Sequence, residues 1–248
     1  MPSAAGGPQR AIAFGSRQLV SPSGPPMAGT DVVVFESLYN ALGHLLTEPL
    51  GADLAVDGTF GPLDAAAARR IQGRFGLGAD GIVGPSTCFV LGHGAGAHRT
   101  YGGPAFGSRV LRPGDDGGDV WVLQNRLAAL GRMKRPGDGV WGDDTAAALV
   151  GWKADVGLAG DPVADLQTAN ALVMASLAGG RAVWSGRNGL DVAWIQRRLV
   201  DAGLLRAPVD GICSPATVAA LRAFQAGARL VADGVAGPDT FLALGRAG

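Results

Sequence analysis

The sequence predicts an all-α protein: three tandem small three-helix bundles, with short extended straps and a Gly-rich linker between the first two. Two observations carry this reading. A set of three landmarks recurs three times in step, and apolar residues fall at helical spacing between them. The landmarks are a Gly-x-Asp-Val segment, an Asp-Gly turn, and a second Asp-Gly-like turn ending in Thr. The first reads Gly29-Thr30-Asp31-Val32, Gly118-Asp119-Val120 and Gly189-Leu190-Asp191-Val192. The second begins at Asp57-Gly58, Asp138-Gly139 and Asp210-Gly211, and the third at Asp80-Gly81, Asp161-Pro162 and Asp233-Gly234. Asp57 to Asp138 and Asp80 to Asp161 are both 81 residues, while Asp138 to Asp210 and Asp161 to Asp233 are both 72, so the copies move as units.

Each element follows in order. Asp119 suits a helix N-cap, since its carboxylate can accept from open amides of the first turn. Val120, Leu123, Leu127 and Leu130 then recur at helical spacing until Gly131 closes the helix. Val32, Phe35, Leu38 and Leu42 up to Gly43 repeat the scheme, as do Val192, Ile195 and Leu199 up to Gly203. Asp64, Thr145 and Thr217 are placed to cap a second helix, whose apolar stripe is Ile71 and Phe75 in copy one and Val218, Leu221 and Phe224 in copy three. Thr87, Thr168 and Thr240 are placed to cap a third, which reads Cys88-Phe89-Val90-Leu91 or Phe241-Leu242-Ala243-Leu244. The units so defined are residues 1–98 with an N-terminal strap, 99–176 with a worn last turn, and 177–248.

Ahead of copies one and two stands a second repeated phrase, Ala13-Phe14-Gly15-Ser16-Arg17-Gln18-Leu19 and Ala105-Phe106-Gly107-Ser108-Arg109-Val110-Leu111, echoed at Gly179-Gly180-Arg181-Ala182-Val183. Repeated apolar residues in a linker predict a strap packed over the following bundle. The competing reading is a strap reaching a neighbouring subunit, which would polymerise the protein. Gly92 to Gly103 is a flexible linker by composition and marks the first boundary.

These residues resemble the peptidoglycan-binding domain found beside cell-wall hydrolases. The match lies in a Gly-x-Asp-Val-x-x-Leu-Gln helix start, Asp-Gly-x-Phe-Gly-Pro turns, and helices ending Phe-Gln. Leu123-Gln124, Gln72, Phe224-Gln225 and the Gly-Pro turns carry it. The resemblance covers nearly the whole chain and implies a three-helix cell-wall-binding module in three copies. The copies depart unevenly: the middle one has Lys153 where Gln72 and Gln225 stand, and the first has Glu36 where Gln124 and Gln196 stand. Shared residues that are mostly caps, turns and core define a fold more firmly than a ligand.

Composition and residue inventory narrow the function classes. Lys+Arg and Asp+Glu are each 21, with no basic run to track phosphates, so neither nucleic acid nor a charge-docked membrane is expected as a partner. No stretch of about 18 apolar residues spans a bilayer, and Met1 to Arg10 lacks the apolar core of a signal peptide. His44, His93 and His98 give no ligand set for a metal, and no cofactor motif stands out. Cys88 and Cys213 occupy apolar or core-equivalent positions and read as two separate buried thiols. Only two glutamates exist, Glu36 and Glu48, and nine of the 19 aspartates fall at the repeated landmarks, where turns and caps account for them. A catalytic constellation occurs once, whereas these acids recur with the fold; no catalytic residue is assigned and the chain is expected not to be an enzyme.

The ligand contacts expected from sequence are aromatics off the core stripe, Trp121 and Trp194, for stacking on sugar rings or peptide stems. Arg17, Arg109 and Arg181 are added as partners for a stem-peptide carboxylate. The expected function is non-catalytic, multivalent binding of cell-wall peptidoglycan, through its glycan or stem peptide, by an extracellular or wall-associated protein. The alternative is a structural subunit that self-associates into an oligomer, an extracellular filament or a phage-like or injection-type assembly.

Overall fold

The computed structural model describes residues 10–21, 25–93 and 104–247. Unit 1 contributes α1 (Thr30–Leu45), α2 (Pro62–Arg74) and α3 (Pro85–Val90). Unit 2 contributes α4 (Gly118–Ala129), α5 (Asp143–Asp155) and α6 (Leu166–Ala175), and unit 3 α7 (Leu190–Asp201), α8 (Pro215–Gly227) and α9 (Pro238–Arg246). The fold is mostly helical, as the sequence predicts. Sheet among the described residues is one antiparallel pair, β1 (Met27–Ala28) with β2 (Thr59–Phe60), plus isolated bridges. The Gly-rich linker lies largely outside the described residues, as does His98.

The helix starts differ from the sequence reading. Gly29, Gly117 and Gly189 are the N-caps of the first helices, and Asp31, Asp119 and Asp191 lie inside the first turn. Gly189 holds φ at 132°, and a Cβ there would sit 2.2 Å from the carbonyl oxygen of Val90, so a close approach of unit 1 makes glycine necessary. The other helices are capped by Gly61, Gly84, Gly142, Asp165, Ser214 and Gly237. The residues expected to cap them, Asp64, Thr87, Thr145, Thr168, Thr217 and Thr240, stand three positions further in. Proline fills the first helical position at Pro62, Pro85, Pro215 and Pro238, where its missing N–H costs nothing.

Each strap folds onto its own unit. Leu19 bridges Val83, Leu111 bridges Ala164 and Val183 bridges Ala236, so in every copy the strap pairs antiparallel with the last turn. Phe14 and Phe106 are buried beneath them. The strap of unit 1 also reaches unit 2, where Asn170 accepts from the Phe14 N–H (3.2 Å) and donates to the Ile12 carbonyl (2.9 Å).

The units also close on one another. Helix α6 packs on α1 and α9 on α4, while α1 meets α7 and the end of α3 abuts the start of α7. One buried cluster runs through units 1 and 2 and takes in Leu190, Ala193, Val209 and Leu242; the other belongs to unit 3 but includes Ala129. This differs from three bundles with separate cores, because apolar residues beyond each unit's own stripe need cover. At the junction Arg126 is fully buried and donates to the carbonyls of Ser176 (2.6 Å) and Gly92 (3.1 Å), with burial lowering its pKa to about 10. His93, expected in a flexible linker, is buried against Phe14 instead.

Candidate ligand grooves at the Asp-Gly turns

The recurrent polar feature is a buried amide that clamps four of the six landmark turns. Gln124, on α4, donates from Nε2 to the Asp138 carboxylate (2.9 Å), the Val140 carbonyl (2.9 Å) and the Thr145 hydroxyl (3.0 Å), while its Oε1 accepts from the Gly139 N–H (2.8 Å). Gln72 repeats the set with Asp80, Ile82, Thr87 and Gly81, Gln196 with Asp210, Ile212, Thr217 and Gly211, and Gln225 with Asp233, Val235, Thr240 and Gly234. The Thr expected at a cap is thus a partner of the amide. The Asp carboxylate also accepts from the N–H two residues on, at 2.8 to 2.9 Å. Those bonds favour the charged form: the Ile82 N–H and the Gln72 amide hold Asp80 below the usual carboxylate range. At Asp138 burial acts the other way, and the Val140 N–H and Gln124 amide outweigh it.

The two exceptions noted in the sequence occupy the same place with other chemistry. Lys153 donates to the Asp161 carboxylate and to the carbonyls of Asp161 and Val163, replacing amide donors by an ammonium and lowering the Asp161 pKa. Glu36 accepts from the Gly58 N–H through Oε2 (2.9 Å), but its buried Oε1 has no hydrogen-bond partner where a glutamine would present a donor. Burial, with repulsion from Asp64 and Asp57, pushes its pKa to about 7.

The five residues expected to touch ligand are placed otherwise. Trp121 is 3% and Trp194 9% exposed. Helix α4 is buried on every side, from Gly118 to Ala129, so an off-stripe position there meets another element rather than solvent. The three arginines lock the straps. Arg17 donates to both oxygens of Asp31 (2.6 and 3.0 Å), Arg109 to those of Asp119 (2.7 and 3.2 Å) and Arg181 to those of Asp191 (2.6 and 2.7 Å). Each also donates to the carbonyl before the N-cap glycine: Ala28, Asp116 or Asn188. Such bidentate pairs are strong and directional. The Arg17-x13-Asp31, Arg109-x9-Asp119 and Arg181-x9-Asp191 spacings were visible in the sequence, though only the fold makes them partners.

Three grooves, each walled by a single unit, open beside clamped turns. One of about 310 Å³ lies at the last turn of unit 1, edged by Gln18, Leu77, Pro85 and Ser86. One of about 360 Å³ lies at the first turn of unit 2, edged by Met133, Arg135 and Asp144. The third, about 410 Å³, lies at the last turn of unit 3, edged by Arg229, Val231 and Asp239. At the first turn of unit 3 a hollow of about 330 Å³ is walled jointly with unit 1, which buttresses the turn: Thr47 and Val209 exchange two hydrogen bonds of 2.9 Å, and Arg74 donates to the Asp210 carbonyl. Shallow grooves of mixed polar and apolar lining can hold a chain-like ligand.

Reactive groups lie elsewhere and are muted. Burial pushes the Cys88 thiol up to about 12 and the Cys213 thiol to about 11, and brings His93 down to about 3. No group of three His, Cys, Asp or Glu residues among those described is placed to hold a metal.

A fold of three clamped, strapped three-helix units with turn grooves defines a modular binding protein. The family described as "Putative peptidoglycan binding domain" matches residues 29–91, 116–172 and 188–244. The chain belongs to that family, in three tandem copies. It is 60% identical over 37 residues to a "Zinc D-Ala-D-Ala carboxypeptidase" of Streptomyces albus G, covering 15% of this chain and 14% of that protein. It is 32% identical over 152 residues to a "Probable N-acetylmuramoyl-L-alanine amidase" of Bacillus licheniformis, covering 53% of this chain and 43% of that one. The chain therefore spans less than half the length of the curated relatives it matches. Among solved structures it is similar to the SleB N-terminal domain, at 38% identity, with 29% of this chain and 99% of that one covered and a TM-score of 0.29. Among the described residues no helix is long and apolar enough to cross a membrane.

Proposed function

We propose that this chain binds cell-wall peptidoglycan without cleaving it, through several turn grooves acting together at the wall. The observation that carries the reading is the repetition of one groove type beside clamped turns in all three units of a peptidoglycan-binding-domain chain. Because the units are packed on one another, a ligand chain held in one groove stays near the next, and modest affinities combine. The absence of a cleaving role is supported by the muted thiols and by the engagement of the recurrent aspartates in turns.

The test uses the intact chain and purified sacculi in a sedimentation assay. Ser86→Trp, Asp144→Trp and Asp239→Trp fill the same position in the three grooves. Retention falls stepwise from single to triple variant on this account. Undiminished retention of the triple variant removes the grooves from the binding surface, and retention lost wholly by one substitution removes multivalency.

A further inference from the structure

The last turns of the three units differ at one position in a way the fold does not require. In unit 1 the residue four after Gln72 is Gly76, at φ 70°, and in unit 2 the residue four after Lys153 is Gly157, at φ 73°. Each is followed by a Leu whose N–H donates 2.8 Å to the carbonyl of Gln72 or Lys153, a helix end that turns through the left-handed region. Unit 3 keeps the geometry, with the Leu230 N–H 2.8 Å from the Gln225 carbonyl, but places Arg229 there at φ 60°. It is the one non-glycine residue with positive φ among those described. An arginine adopts that conformation at a cost that glycine avoids.

Two further exchanges line the same groove. Val231, 79% exposed, replaces Gly78, and Asp239 replaces Ser86. The outcome is the largest of the three grooves, lined by a cation and an exposed aliphatic side chain from the segment after α8 and by a carboxylate from the first turn of α9. In the unit 2 groove Arg135 is bound to Asp144 at 3.1 Å, whereas Arg229 enters no salt bridge with a described residue. Its guanidinium is exposed and available for a planar, bidentate anion.

We infer that the unit 3 groove recognises the zwitterionic, aliphatic end of a peptidoglycan stem peptide, a free carboxylate on Arg229 and a free amine on Asp239, with Val231 against the chain between. This rests on the reading of the protein as a peptidoglycan binder and assigns one groove its ligand chemistry. A neutral glycan would use neither charge. The strained arginine is then a specificity-determining residue; the unit 1 groove, with Gly76 at that position, and the unit 2 groove, whose Arg135 is already paired with Asp144, lack the preference.

Arg229→Gly and Arg229→Asn remove the guanidinium while suiting the left-handed turn, so folding is protected and the melting temperature stays level or rises. The intact protein and both variants are tested against sacculi stripped of anionic wall polymers. They are also titrated with a soluble muropeptide whose stem ends in a diamino acid bearing free amine and carboxylate, and with the same muropeptide amidated at that carboxylate. The expected result is a roughly tenfold to hundredfold loss of muropeptide affinity in both variants, and a like loss for wild type on amidation. Wild-type affinity in the variants, or equal affinity for a peptide-free glycan, overturns the assignment while leaving wall binding intact. Failure of the wild-type chain to sediment with sacculi overturns the assignment and the underlying reading together.

Discussion

Replacing Glu36 by Gln gives unit 1 the amide that clamps four other turns. In the present protein the Glu36 side chain is buried, its Oε1 is unpartnered, and its pKa is about 7 against an ordinary 4.5. A raised pKa means that the folded state holds the proton more tightly than the unfolded chain. Stability is thus full below pH 4.5, falls as pH rises through 7, and is flat above. Two and a half pH units of difference correspond to about 3 kcal/mol at pH 8. Glu36→Gln removes that loss and supplies an Nε2 donor where repulsion from Asp64 and Asp57 now acts. Urea unfolding of both proteins between pH 5 and 8 measures it: the variant gains on the wild type by up to about 3 kcal/mol as pH rises. Two stability curves that stay parallel across that range refute the reasoning.

The remaining predictions follow the same contacts. His93, with its pKa lowered to about 3 by burial, must stay neutral in the folded protein, so its contribution to stability falls as pH drops below about 6.5. Because Glu36 contributes the opposite trend over the same interval, the measurement is made in the Glu36→Gln background, where equilibrium unfolding at pH 7 and 5 should show a loss of about 2 kcal/mol that adding His93→Leu abolishes. Arg181→Met strands the buried Asp191 carboxylate and should cost about 3 kcal/mol in the same assay, more than Arg17→Met, whose arginine is more exposed. An equal cost for both would contradict the burial argument. Gln225→Ala leaves the buried Gly234 N–H without its acceptor and should lower stability by about 1 to 3 kcal/mol, with amide exchange at Gly234 accelerated beyond that at Gly139.

The helical units were legible because their punctuation is local: Asp-Gly turns, Pro at the first helical position and apolar periodicity each act within a few residues. The straps were legible because their apolar residues recur. The caps lie two residues before the expected Asp in the first helix of each unit and three before the expected Asp or Thr in the others, since Asp and Thr side chains suit caps in isolation, whereas here Thr145 serves Gln124 and Asp119 serves Arg109. Trp121 and Trp194 were misread for a different reason. A single unit's apolar stripe does not reveal that a neighbouring unit covers the opposite side of the helix, and α4 is enclosed on all sides. The grooves needed the fold, because their walls join the end of one helix to the first turn of another. Arg229 stood in plain sight opposite Gly76 and Gly157, but only its φ marks it.

The most direct trial of wall binding without cleavage is a single incubation of the intact chain with purified sacculi, following protein in the pellet and sugar or peptide released to the supernatant. The account predicts saturable retention with no release and no clearing of the suspension. Protein that stays in the supernatant at every concentration, or soluble fragments that accumulate with time, would contradict it.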